Sequence, residues 1–381
     1  MRQHAFLSAS AAHRWIACPP SAALQEKYED KGSEFAAQGT DAHTLAEWKA
    51  RRLLGIDQPD PRENLTWYDQ EMDEATDQYA LFIAETIAEA KETCDDPCVM
   101  IEQRVDFSRW VPDGFGTADA LVIGSGHMWV IDLKYGTGVE VSAEHNPQMC
   151  CYALGALELL DDLYGINTVT MTIFQPRRGN ISEWTVTRPD LLQWAEDVLR
   201  PAADLAIAGK GDYCPGDHCR FCKARRECRA RADAQLQMMR YDFQLPPTLT
   251  DDEIEDILKQ ADQLIAWAED IKSYALESAI GGKCWNGFKL VEGRSVRRYT
   301  DEDAVARAVL ADGKDPYEKK LLGVTAMTKL LGRKHFEEVL GSLVEKPRGK
   351  ATLVPESDKR PAADFTDYIP DENEKENDLH E

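Results

Sequence analysis

Two carboxylates and an amine at the ends of neighbouring strands can hold a hard divalent cation and act on a phosphate, and residues 116–157 supply such a set. Asp119 opens the apolar run Ala120–Ile123, while Asp132 and Lys134 close a second run, Met128–Ile131. Gly-Ser-Gly-His joins the two runs, which is the length and punctuation of a hairpin. Side chains alternate across a strand, so Asp132 and Lys134 share a face, and pairing can bring Asp119 beside them. Carboxylate oxygens suit Mg²⁺ or Mn²⁺. A lysine beside such an ion could orient or deprotonate a water and stabilise charge developing on a phosphate. A lone D-x-K is common, however, and reads equally well as surface charges on an ordinary hairpin. Its context is Gln148 and Tyr152, four residues apart at the start of a helical pattern through Leu154 and Leu157, and therefore on one helix face.

The surrounding segments must place these groups. Gly39-Thr40-Asp41-Ala42-His43 is expected to open a helix reaching about Leu54, and a histidine there is by itself most simply a structural hydrogen-bonder. Residues 69–93 have apolar positions three and four apart and read as a long packing helix. A strand over 99–107 follows. Its Glu102 joins the site if this strand borders that of Asp119, and is otherwise an exposed edge glutamate. Two more strands are expected near 168–174 and 183–187, then a helix near 189–207. Arg177 and Arg178 sit in the turn between those strands, where they could meet a phosphate or simply be solvated. The order of elements predicts an α/β fold, a mixed central sheet flanked by helices.

Ten cysteines in a chain without a secretory leader are read for metal before disulfides. The run Cys219-x₂-Cys222-x₅-Cys228 can offer three soft ligands to one metal or cluster. Two assignments compete. A local zinc site would add Cys214, whereas an iron–sulfur cluster would add a distant cysteine. Cys18 ends a short helix that begins near Ser8 and, taken alone, reads as a buried small apolar residue. Basic residues crowd this motif: Arg220, Lys223, Arg225, Arg226, Arg229 and Arg231 stand against Glu227 alone.

Over roughly residues 8–230 the pattern resembles the PD-(D/E)xK nuclease superfamily, specifically its RecB-like branch. The residues that carry the resemblance are Gly116-Thr117-Ala118-Asp119, Asp132-Leu133-Lys134 and Gln148-x₃-Tyr152, with Ala118 where the superfamily's name has proline. The resemblance implies a restriction-endonuclease-like core, with Asp119, Asp132, Lys134, Gln148 and Tyr152 as catalytic residues. The metal would be held by His43, Asp119, Asp132 and the Leu133 carbonyl. In cluster-bearing members of the branch a helix like that of Ser8–Cys18 ends in the first cluster ligand. This favours a [4Fe–4S] cluster on Cys18, Cys219, Cys222 and Cys228, with Zn²⁺ the alternative. Arg177, Arg220, Arg225 and Arg226 would then meet the DNA backbone. The implied activity is Mg²⁺-dependent DNA hydrolysis, by an exonuclease rather than a site-specific endonuclease, because no separate sequence-reading module is evident. The C-terminal third looks closer to a phage-encoded subgroup, implying work in DNA replication, recombination or repair in a bacterial host's cytoplasm. A different class of reading also stands: a DNA-end-binding or assembly factor that keeps a nuclease fold without needing catalysis.

Composition sets bounds on both. The 381 residues can bury a substantial core, and 43% hydrophobic with 29% charged residues is ordinary for a soluble protein. No apolar run approaches the ~20 residues that span a bilayer, so a cytoplasmic location without a membrane partner is expected. A net charge of −24 is awkward for contact with phosphates, so DNA binding must rest on local basic patches and metal. Three regions are expected: a core over 1–232 with the cysteine motif, a mainly helical accessory region over 246–340, and a linker with an acidic tail over 341–381. The last twenty-one residues contain eight acids and one lysine. Such a tail is expected to be disordered and could dock a basic partner such as a single-strand-binding or annealing protein.

Overall fold

The computed structural model describes residues 5–28, 34–237, 249–291, 301–317 and 321–344. Five strands form one sheet in sequence order: β1 (Cys98–Asp106), β2 (Phe115–Gly124), β3 (His127–Leu133), β4 (Thr168–Gln175) and β5 (Asn180–Thr187). The β3–β4 pair is parallel and every other pair antiparallel, so the sheet is mixed, as the sequence predicts. The β2–β3 turn is tight because Ser125 and Gly126 both take positive φ, 43° and 77°, a backbone twist that matches the flanking strands.

The helices in chain order are α1 (Ala12–Ala17), α2 (Ser21–Gln25), α3 (Glu34–Leu53), α4 (Gln70–Lys91), α5 (Pro147–Tyr164), α6 (Arg188–Trp194), α7 (Arg200–Ile207), α8 (Arg229–Leu236) and α9 (Asp251–Ile280). Residues of α3 and α4, among them Ala46, Ala50, Tyr79 and Ile83, pack against Ala120, Ile131, Leu133 and Phe174. On the other face Leu121, Ile123, Met128 and Val130 join Met149, Cys150, Ala153 and Leu157 of α5. Alternate residues of β2 and β3 thus enter different clusters, as a sheet covered on both faces requires. The parallel β3–β4 pair needs a crossover, and α5 supplies it.

One expectation for the helices changes. The α3 helix has already begun at Glu34, so Gly39-Thr40 lies inside it rather than opening it. The helix formers Glu34, Ala36, Ala37 and Gln38 outweigh one interior glycine.

Contacts divide the chain into Met1–Trp285 and Asn286–Glu381. The division expected near 246 falls later, after Trp285, because Asp270, Tyr274 and Glu277 of α9 bind Arg225, Arg231, Glu227 and Arg226 of the cysteine-rich segment. The second unit is helical where described, with α10 (Glu302–Ala311), α11 (Val324–Leu331) and α12 (Arg333–Leu340). The acidic tail, and with it the proposed docking of a partner protein, lies outside the described residues.

Helix α5 approaches β1 through Gly155, where a Cβ would stand 2.9 Å from Val105 Cβ and 3.0 Å from Asp106 N. Backbone cannot yield as a side-chain tip can. Gly155→Ala should therefore lower stability by about 1–2 kcal/mol, the overpacking penalty exceeding the gain in helix propensity. A denaturant midpoint at or above that of the wild type would contradict this packing.

Candidate active site

The site lies where β1, β2 and β3 meet the start of α5 and the middle of α3. Asp119 is almost buried, and its Oδ2 accepts the Leu133 amide at 2.7 Å, which locks the two strands at this point. It is the amide of Leu133 that makes this contact. Asp132 is 2% exposed. Lys134 follows β3 with its amide on the Phe174 carbonyl, keeping the strand's alternation, and its Nζ stands 2.7 Å from Asp132 Oδ2.

Helix α5 is started by Asn146, whose side chain accepts the amides of Gln148 and Met149, with Pro147 in the first turn. That cap aims Gln148 at the strands. Its Nε2 donates to Asp132 Oδ1 at 3.2 Å and to Tyr152 Oη at 3.1 Å, and its Oε1 accepts from Lys134 Nζ at 3.1 Å. Gly116 explains itself here: a Cβ on it would lie 2.6 Å from Tyr152 Cε1. The glycine three residues before Asp119 leaves room for the tyrosine ring.

Helix α3 brings His43 Nδ1 to 3.4 Å from Asp119 Oδ2. Opposite Asp119 on β1 sits Glu102, bracketed by the pairs Ile101–Ala120 and Gln103–Ala118. Its φ of 52° is left-handed, rare for a residue with a Cβ inside a strand, and it interrupts the ladder at the site. Ligand atoms of His43, Glu102 and Asp119 lie within 4.8 Å of one another. The arrangement therefore brings together all of Asp119, Asp132, Lys134, Gln148, Tyr152 and His43, and adds Glu102, whose membership hung on strand order.

These groups perturb one another strongly. Burial and then the Asp119 charge push Glu102 up to about 7. Burial raises Asp132, with Lys134 opposing. Burial disfavours charge on His43, but Asp119 and then Asp132 override it and carry its pKa to about 9. Tyr79, expected only to pack, has a buried hydroxyl with no hydrogen-bond partner, and burial followed by Asp119, Asp132 and Glu102 raises its pKa. No periodicity could mark it, since it also fills a packing position. Asp132 Oδ2 is likewise buried, facing the Lys134 ammonium at 2.7 Å. Crowded carboxylates and an imidazole fit a hard divalent cation.

A second cluster of donors lies elsewhere in this unit. Cys18, Cys214, Cys219, Cys222 and Cys228 line one cavity with Arg14, His218, Arg225 and Arg231. The distant Cys18 therefore does reach the motif at 219–228. The basic residues near the motif are less available than their number suggested. Arg225 pairs with Asp270 and Arg226 with Glu277. Arg177 makes a bidentate pair with Glu71 over the Tyr135 ring. Of the four arginines expected at DNA, Arg220 alone lacks a carboxylate partner among the described residues, bonding the Asp217 carbonyl instead. Helix partners far along the chain neutralise the others, which no local pattern discloses.

A mixed five-stranded α/β sheet with an acidic, lysine-bearing site across β1, β2 and β3 defines the class of this protein. Residues 4–361 match the family model described as "Protein of unknown function (DUF2800)", and the chain belongs to that family. Among solved structures, one titled "Crystal structure of SSO0001" aligns with 51% of this chain and 98% of its own, at 14% identity and a TM-score of 0.24. At that score the likeness bears on neither fold nor activity. No helix among the described residues is long and apolar enough to cross a membrane.

The pKa shifts set a sign. Without metal, protonated His43 contributes stability that is complete below about 6.5 and lost as pH rises through about 9. Neutral Glu102 contributes stability lost between about 4.5 and about 7. A divalent cation competes with both protons; from pH 7 to 9 the His43 proton is the one left to displace, so Mn²⁺ affinity should rise by roughly tenfold per unit. Calorimetric titration across that range checks it, and a flat or falling affinity would count against this metal centre.

Proposed function

We propose that the chain is a divalent-metal-dependent deoxyribonuclease of the RecB-like kind, working from DNA ends. The observation that carries the reading is the single hydrogen-bonded network linking Asp132, Lys134, Gln148 and Tyr152 beside Asp119. The five side chains converge from β2, the end of β3 and the start of α5. Asp119 and Asp132 would hold the cation, with His43 and Glu102 completing or adjoining its shell. When bound, Mg²⁺ or Mn²⁺ supplies Lewis-acid stabilisation of phosphate charge and lowers the pKa of a coordinated water.

The protein's own groups do the rest. Gln148 accepts from the Lys134 ammonium while donating to Asp132, which fixes the amine beside the carboxylate rather than leaving it free to rotate. So held, Lys134 can orient a water and stabilise charge on a phosphate oxygen. The hydroxyl of Tyr152, fixed by Gln148 and by the gap at Gly116, positions the scissile strand. With three of the four expected arginines paired internally, backbone contact falls on Arg220 and on the site itself.

The test is digestion of end-labelled linear single- and double-stranded DNA with Mg²⁺ or Mn²⁺. Wild type should cut and Lys134→Ala should lose at least about a hundredfold in rate, the scale of a general acid–base or charge-stabilising group. Equal cutting by both, or none by wild type, rejects the reading. If Lys134→Ala binds ends tightly and keeps full biological activity, the assembly-factor reading takes its place.

For the cysteine cavity we favour a [4Fe–4S] cluster on Cys18, Cys219, Cys222 and Cys228 over zinc, supported by the arrival of Cys18. Anaerobically purified protein should show broad visible thiolate-to-iron absorbance, lost in Cys18→Ser and kept in Cys214→Ser. A colourless protein whose zinc is lost on Cys214→Ser but kept on Cys18→Ser reverses the assignment.

A further inference from the structure

Three guanidinium groups line the cysteine cavity, and their surroundings differ. Arg231 is nearly buried and pairs with Asp270, which also accepts from Arg225. One carboxylate from α9 thus answers both charges. Arg14 has no such partner. It is 2% exposed, lies one helical turn before Cys18 in α1, and gives its amine Nη1 to a neutral acceptor, Ser21 Oγ, at 2.7 Å. Among the described residues no carboxylate pairs with it.

An arginine stays charged in a protein, and a buried charge without a counter-charge costs several kcal/mol. The groups that favour its charge are the thiols of Cys222 and Cys18, set against burial, the larger influence, which disfavours it. Protonated thiols are neutral and cannot balance a cation. Four deprotonated thiolates can, because they outweigh the dication they would enclose, whether zinc or a cluster core, and leave the group net anionic.

We infer that Arg14 is the internal counter-cation of the group held by Cys18, Cys219, Cys222 and Cys228. The inference rests on the reading that these cysteines hold such a group. It makes Arg14 a positioning residue, acting through the ligands and not on a substrate. It also assigns the buried charge at the end of α1 a purpose that packing does not supply, since a guanidinium is a poor filler for an apolar site.

The test compares full-length wild type, Arg14→Met and Arg14→Lys, each prepared metal-free and each loaded with Zn²⁺ or with Fe²⁺ and sulfide under anaerobic conditions. Arg14→Met should bind Zn²⁺ about 10–100-fold more weakly in competition with a chromophoric chelator, the usual scale for losing a partner behind the ligands. Its reconstituted cluster should have a lower reduction potential, because the reduced form carries the extra negative charge. Arg14→Lys, which keeps the charge, should stay near wild type in both. Thermal melting should cross over: metal-free Arg14→Met melts no lower than metal-free wild type, while the loaded variant melts lower than loaded wild type.

Equal zinc affinity and equal potential in wild type and Arg14→Met would overturn the inference while leaving the cysteine site standing. So would equal destabilisation of the metal-free and loaded forms, which marks a packing role. Weakening by Arg14→Lys as great as by Arg14→Met would also overturn it. A wild type that takes up neither zinc nor iron and sulfide overturns the cysteine reading, and this inference with it.

Discussion

Carboxylates repel one another, and burying several together is unfavourable unless cations answer them. Glu102, Asp119 and Asp132 are gathered on three neighbouring strands, where Lys134, His43 and Arg51 bring positive charge near. Much of the surrounding structure can be understood as holding that arrangement in place. The Leu133 amide on Asp119 ties β2 to β3 at the point of greatest repulsion. Glu102 sits there in a left-handed backbone conformation that the flanking pairs of the ladder impose. Strain of this kind persists where the surroundings over-determine it, and it concentrates at functional positions.

Both apolar faces of the sheet serve the same end. Helix α5 is the crossover that a parallel β3–β4 pair demands, and its capped first turn is what delivers Gln148 and Tyr152 to the carboxylates. Close approach is bought by two glycines, Gly116 beneath the Tyr152 ring and Gly155 against β1. On the opposite face, α3 is held to α4 by Lys49 between Asp73 and Asp77, which fixes the helix that carries His43.

The cysteine cavity lies within the same unit but follows different chemistry. It joins the end of α1 to the segment before α8, closing a loop of about two hundred residues, and any group bound there would strongly restrict the unfolded chain. Helix α9 braces it from outside with Asp270 and Glu277. The same pairs explain how an acidic protein can carry an arginine-rich motif that is mostly neutralised.

What the sequence determined by itself was whatever depends on neighbours within a turn or a strand. The strands around Asp119 and Asp132, the shared face of Asp132 and Lys134, and the helix that pairs Gln148 with Tyr152 all follow from local periodicity and turn residues. Tertiary structure alone decided which strand bordered Asp119, and so whether Glu102 belonged to the site. It also decided that Tyr79 buries its hydroxyl among the site's carboxylates, that Cys18 reaches Cys222, and that Arg177, Arg225 and Arg226 meet carboxylates from other helices. These outcomes rest on pairs of residues separated by tens to hundreds of positions. Periodicity records which face a residue takes, but not what the folded chain brings against it.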